Sequence, residues 1–284
     1  MYITFTDFIF CMMLVFPLAV FYYLMKKHWA DKELLKMFWH GLCASVFAIV
    51  LVRIFYVPVE LALGGDMRAF LTSPRDWKVT LSACIGIIGF IEEGLKAFVV
   101  HLCCYINRKE GGFRATSIFM AFCGCNIGFA LIENIQYYLS FGPVVVFPRV
   151  LISSVAHLFF GCICACFASI SFKRDKSPIK ATFIVAVGII LASVIHGSFD
   201  FTVFQLALTS LNGLILAFAG IAIYFAYEVW IMCLRLDYQK PGVLAVCNVC
   251  RGLTVEPIRF CPFCGNRVVE IENLPTIIRD MSQK

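Results

Sequence analysis

Residues 79–106 read Val79-Thr-Leu-Ser-Ala-Cys84-Ile-Gly-Ile-Ile-Gly89-Phe-Ile-Glu92-Glu93-Gly-Leu-Lys96-Ala-Phe-Val-Val-His101-Leu-Cys-Cys-Tyr-Ile106. The run is apolar at both ends and longer than the roughly 20 residues that a helix needs to cross a hydrocarbon core of about 30 Å. Near its middle stand Glu92, Glu93 and Lys96. A carboxylate or ammonium at the centre of a spanning helix costs about 2.5 to 3.5 kcal/mol, so three of them need a compensating partner or a use. Lys96 lies one turn from both glutamates and can lock the helix by pairing with one of them. The other carboxylate is then left without a structural explanation.

Outward from this run the apolar pattern repeats. Of 284 residues, 61% are hydrophobic and 15% charged, far from the soluble average. Spans are expected at Phe8 to Met25, Met37 to Leu61, Val79 to Ile106, Thr116 to Phe141, Val144 to Phe172, Ile179 to Phe204 and Leu208 to Leu234. The fold class is therefore an all-α polytopic membrane protein of about seven transmembrane helices over residues 1–238, followed by a small polar module over residues 239–284. The first stretch lacks a basic leader and a small-residue cleavage site, so it is expected as a helix rather than a signal peptide. Pro17 within it predicts a kink. Tyr22, Tyr23, Trp29, Trp77, Tyr105, Tyr137, Tyr138 and Tyr238 fall near span ends, where amphipathic rings prefer to lie.

Basic residues set the expected orientation. Lys26, Lys27, Lys32 and Lys36 follow the first span, Arg108, Lys109 and Arg114 the third, and Lys173, Arg174, Lys176 and Lys180 the fifth. The intervening loops carry fewer, with Arg68, Arg75 and Lys78 in one and Arg149 near another. Positive loops face the cytoplasm, which puts the N-terminus outside and the C-terminus in the cytoplasm.

Three later spans add polar groups: Glu133 and Asn134 in the fourth, His157 in the fifth, His196 and Asp200 in the sixth. Residues four apart share a helix face, so His196 and Asp200 look into the same space. Counting at 1.5 Å per residue places Glu92, Glu133, His157 and His196 about 20 to 27 Å from the cytoplasmic side, in one layer. Charges placed independently on four antiparallel helices have no reason to agree in depth. Together they suit hydrolysis, in either of two ways. His157, His196 and Glu133 can hold a metal with an open position for water, while a second carboxylate acts as base. Alternatively Glu92 or Glu93 takes the proton from water directly, and His, Asn134 or Asp200 stabilises the oxyanion.

In chain order, Glu92-Glu93-x-x-Lys96, Phe129-x-x-x-Glu133-Asn134, His157-x-x-x-Gly161 and His196-x-x-x-Asp200 resemble the motif set of the PrsW family of intramembrane proteases, relatives of the CAAX prenyl proteases and bacteriocin-processing membrane proteases. The resemblance covers roughly Val79 to Phe204, the expected catalytic core of about 79–204. It implies an intramembrane endopeptidase cleaving membrane-anchored protein substrates, with Glu92, Glu93, Glu133, Asn134, His157, His196 and Asp200 as the site. The broader prenyl-protease pattern has His in the second motif and Arg ending the first. Glu133 and Lys96 stand there in this chain, which argues against prenylated substrates.

The remaining charges have simpler explanations. Arg53 and Glu60, seven apart, share a helix face, and Glu228 near a span end reaches headgroups or a loop lysine. Cys162, Cys164 and Cys166 splay over different faces and read as small packing residues. In the tail, Cys247-x-x-Cys250 and Cys261-x-x-Cys264 are the pattern of a structural zinc site, a zinc-ribbon-like module in a reducing cytoplasm. From Arg235 onward seven basic residues face five acidic ones, too balanced for a nucleic-acid surface, so a cytoplasmic protein partner is expected instead. Two other classes use the same features: a transporter or channel with a buried proton relay, and a scaffold acting through its tail. Transport predicts related halves, which the sequence lacks; a scaffold gives no reason for a shared polar layer.

Overall fold

The computed structural model describes residues 6–8, 15–25, 32–65, 67–72, 76–107, 114–143, 146, 149–171, 177–205, 212–238, 244–246 and 253–255. Over these the chain is almost wholly helical. The helices are α1 (Phe16–Met25), α2 (Lys32–Leu63), α3 (Met67–Thr72), α4 (Trp77–Ala83), α5 (Phe90–Ile106), α6 (Ala115–Phe141), α7 (Ser154–Ser171), α8 (Pro178–Gln205) and α9 (Asn212–Tyr238). A π-helical turn, Cys84–Gly89, joins α4 to α5, and a second, Arg149–Ser153, leads into α7.

Among the described residues four helices are long and apolar enough to cross a membrane: Lys32–Leu63, Ala115–Phe141, Arg149–Ser171 and Pro178–Val203. The chain is an integral membrane protein. The rod from Trp77 to Ile106 carries three central charges and a π-turn and is not among those four. Helix α1 starts at Phe16 with Pro17 in its first turn, where its missing N–H has no carbonyl to bond. The expected kink inside a longer first span falls partly on residues outside those described.

Helix α6 is the central post. Every residue from Ala115 to Ala130 is buried, as for a helix packed on all sides. Helix α2 runs along it closely enough that a side chain on Gly124 would meet the backbone of Phe38. Helix α7 packs on the other flank, α8 and α9 pack on α7, and Trp230 of α9 reaches Phe119 of α6 at 5.4 Å between ring centroids. The opposite faces of α2 and α8 expose Phe47, Ile54, Leu61, Phe183 and Ile190, which suits a lipid surround.

The first turn of α6 is capped from outside its own segment. Asp237, near the end of α9, accepts from the backbone N–H groups of Ala115 and Thr116, and Glu33 of α2 accepts from Ser117 at 2.9 Å. Carboxylates there satisfy donors that a helix leaves unpaired and oppose its dipole. In the tail, strands β1 (Leu244–Val246) and β2 (Leu253–Val255) pair antiparallel, Leu244 opposite Val255. Cys247, Cys250, Cys261 and Cys264 lie outside the described residues.

Candidate active site

Two close helix contacts bring the polar layer together. At the first, a Cβ on Gly89 would strike the carbonyl oxygen of Ser193, and one on Gly197 would strike the backbone of Ile85 and Cys84. With only hydrogens there, the π-turn lies directly on α8 and sets Glu92 and Glu93 beside His196. Met67 and Leu71 of α3 pack against the turn from its other side. At the second contact, Gly161 of α7 faces the side-chain amide of Asn126 in α6, so the glycine of the His157-x-x-x-Gly161 motif leaves room for a buried polar group.

On the His196 side the ring and the ion pair behind it are enclosed, with Asp200 at the rim. Glu93 and Lys96 form an i,i+3 ion pair, each 1% exposed. The same Glu93 Oε1 accepts from His196 Nδ1 at 2.8 Å. The other ring nitrogen, Nε2, faces Asp200 Oδ2 at 3.4 Å and Glu92 Oε2 at 3.9 Å. Phe160 stacks on the imidazole at 4.5 Å and 18°, and the Lys96 ammonium lies 4.6 Å from the centroid of Phe129. Aromatic faces here take the place of water around the charged groups.

The His157 side is partly open. His157 Nε2 lies 2.8 Å from Glu133 Oε2, and Nδ1 lies 3.4 Å from Lys96 Nζ. An ammonium has no lone pair, so Nδ1 is the acceptor and the ring proton on Nε2 is donated to Glu133. Glu133 is also bound by Arg149 Nη2 at 2.8 Å. Arg149 Nε donates to Asn134 Oδ1 at 3.1 Å, and Asn134 Nδ2 donates to Ser154 Oγ at 3.0 Å.

Glu92 lies between the two sides. Tyr56 of α2 donates to its Oε1 at 2.8 Å, while Oε2 is buried without a hydrogen-bond partner. The imidazole rings of His157 and His196 are 5.3 Å apart, and one ligand atom from each of Glu92, His157 and His196 lies within 4.8 Å of the others. An orphaned buried carboxylate oxygen beside two imidazoles is a donor set that fits a divalent ion. The carboxylate in this trio is Glu92. Glu133, expected from the sequence as a ligand, instead stands behind His157 and is shared with Arg149.

All seven expected site residues belong to one connected network, although Asn134 reaches the centre only through Arg149 and Glu133. Arg53, which shares a helix face with Glu60, donates to Gln136 of α6 at 2.7 Å. Sequence reasoning missed Tyr56 and Arg149. A usable signal existed for Arg149, which falls inside the expected span Val144 to Phe172 and so needs a buried partner by the rule applied to Glu92. Tyr56 offers less, only a phenol in an apolar span whose hydroxyl must find an acceptor.

Comparison with known proteins bears on the same residues. The family model described as PrsW family intramembrane metalloprotease matches residues 31–231, well over half of the chain. Protease PrsW of Bacillus subtilis (strain 168) is 25% identical over 189 residues, covering 65% of this chain and 77% of that protein. Protease PrsW of Shouchella clausii (strain KSM-K16) is 28% identical over 120 residues, 40% of this chain and 51% of that protein. No solved structure matches. With one family model running through every helix that contributes to the polar layer, the chain belongs to the PrsW family of intramembrane metalloproteases.

Proposed function

We propose that this intramembrane endopeptidase hydrolyses peptide bonds of membrane-anchored proteins at the centre formed by Glu92, His157 and His196. The observation that carries the reading is the bare Oε2 of Glu92, held between two imidazoles that are themselves fixed by carboxylates. Glu92, His157 and His196 would hold the metal ion of the family, and two imidazoles with one carboxylate suit zinc. Bound there, zinc would polarise the scissile carbonyl and acidify the attacking water.

The chain's own groups do the rest. Tyr56 fixes one oxygen of Glu92 and leaves the other free for the ion or, without one, for the incoming water. In an ion-free centre Glu92 would instead take the water proton as the oxygen adds to the carbonyl carbon, then return it to the amide nitrogen as the C–N bond breaks. Glu93 and Glu133 hold His196 and His157 in orientation. Asp200, 3.4 Å from His196 Nε2 and with its side chain 19% exposed, steadies the ring from the rim of its enclosed side.

The same reading covers the architecture. Seven spans, an outside N-terminus and a cytoplasmic tail place the polar layer in the outer half of the membrane. The tail binds a structural zinc through Cys247, Cys250, Cys261 and Cys264 and docks a cytoplasmic partner. In support, β1 and β2 make a hairpin around the stretch that holds the first cysteine pair.

Glu92→Gln in purified, folded protein is expected to lower cleavage of a single-span substrate by about 10²- to 10⁴-fold. Undiminished turnover overturns the assignment. A variant lacking the four tail cysteines is expected to keep a chelatable zinc ion and its activity. Full activity in metal-free protein would leave Glu92 as the base and remove the ion from the scheme.

A further inference from the structure

We infer that Arg149 is a positioning residue of the catalytic centre, acting through Glu133 on His157. The inference rests on the reading of His157 as part of that centre. Four contacts from one side chain support it. Nη2 binds Glu133 Oε2 at 2.8 Å and Ser153 Oγ at 3.2 Å. Nε binds Asn134 Oδ1 at 3.1 Å, and the guanidinium carbon lies 3.6 Å from the centroid of the Tyr137 ring. Glu133, Asn134 and Tyr137 occupy one face of α6, whereas Arg149 and Ser153 belong to the π-turn that opens into α7. The guanidinium therefore ties the helix that carries Glu133 to the start of the helix that carries His157.

The oxygen it binds is the one that matters. Glu133 Oε2 accepts from both Arg149 and His157, each at 2.8 Å. Where that oxygen sits decides how the His157 ring is turned, and hence where Nδ1 points. Without Arg149, Glu133 would keep one imidazole partner and a carboxylate lacking its cation. A lysine supplies charge but not a planar fork, so it cannot engage Glu133, Asn134 and Ser153 together or stack on Tyr137 in the same way.

The test is steady-state cleavage of a single-span substrate by full-length protein in lipid nanodiscs. Arg149→Gln is expected to lower kcat about 10- to 100-fold, the usual effect of losing an outer partner of a site histidine, with KM nearly unchanged. Arg149→Lys is expected to recover part of that loss. The double variant Arg149→Gln/Glu133→Gln is expected to be no worse than Glu133→Gln alone, because both act through one oxygen. A raised KM with unchanged kcat would make Arg149 a substrate contact and overturn the inference, as would losses that multiply in the double variant. Should Arg149→Gln fail to fold, Arg149→Lys with and without Glu133→Gln gives the same comparison. If Glu92→Gln retains full activity, the centre itself is misassigned; if Glu92→Gln is inactive while the two losses multiply, only the role of Arg149 falls.

Discussion

His196 and His157 are each held by a carboxylate 2.8 Å away, and each carboxylate is held by a cation, yet the two trios are built differently. Lys96, Glu93 and His196 are sealed, the ion pair coming from a single turn of α5. Arg149, Glu133 and His157 come from a π-turn, α6 and α7, and their edge is open, with Arg149 17% and Glu133 20% exposed. The ion pair of the sealed trio is encoded locally, and its contact with His196 and its exclusion of water depend on the bundle. The open trio is assembled across the bundle and keeps a route to the outside. A hydrolase inside a membrane needs both: a fixed, dry anchor for one imidazole, and a wetter side by which water and backbone can arrive.

The largest test of that contrast is Lys96→Met, which strands a buried Glu93 with only His196. Breaking a fully buried pair costs about 3 to 5 kcal/mol, so thermal unfolding in detergent is expected to shift strongly and activity to vanish. The matching change at the open side, Arg149→Met, is expected to shift unfolding less, since water can reach Glu133. Equal shifts would erase the distinction between the trios. Next in size is Tyr56→Phe, which removes the donor to Glu92 between them. A hydrogen bond to a charged group contributes about 1.5 to 3 kcal/mol, and the loss is expected in kcat rather than in KM.

Gly197→Ala sharpens the comparison from the packing side. Forcing a methyl group against Ile85 is expected to cost about 1 to 3 kcal/mol and to disturb His196 while leaving His157 bound to Glu133. Histidine NMR signals read during the titration of a divalent ion would separate the two rings. The smallest effect is expected in the tail: Cys247→Ser/Cys250→Ser should remove zinc from the tail, measured by metal analysis, and leave turnover of a purified single-span substrate unchanged.

Much of the site is legible in the chain because the physics that reveals it is local. A carboxylate in an apolar run is conspicuous by its desolvation cost, and depth comes from counting residues, so Glu92, Glu93, Glu133, His157 and His196 can be placed in one layer. Family membership then decides against the transporter and scaffold readings. Azimuth is not legible. Whether Glu92 or Glu133 faces both imidazoles depends on how five helices are rotated, and that is set by contacts such as Gly89 on Ser193. Arg149 lies close to the start of its expected span, near a loop, where a basic residue passes as an interfacial charge rather than as one that needs a buried partner. Arg53 meets Gln136 across the bundle, a partner that spacing along its own helix does not reveal.

The wide turn at Cys84–Gly89 has a consequence for how this sequence tolerates change. Such a turn holds one residue more than regular helix, and each residue rotates the downstream helix by about 100°. Deleting a single apolar residue there would leave hydropathy and length almost untouched, yet swing the paired acids from the bundle interior toward the acyl chains. A segment that looks like interchangeable filler is thus a phase-setting element, in which indels should be far less forgiving than substitutions.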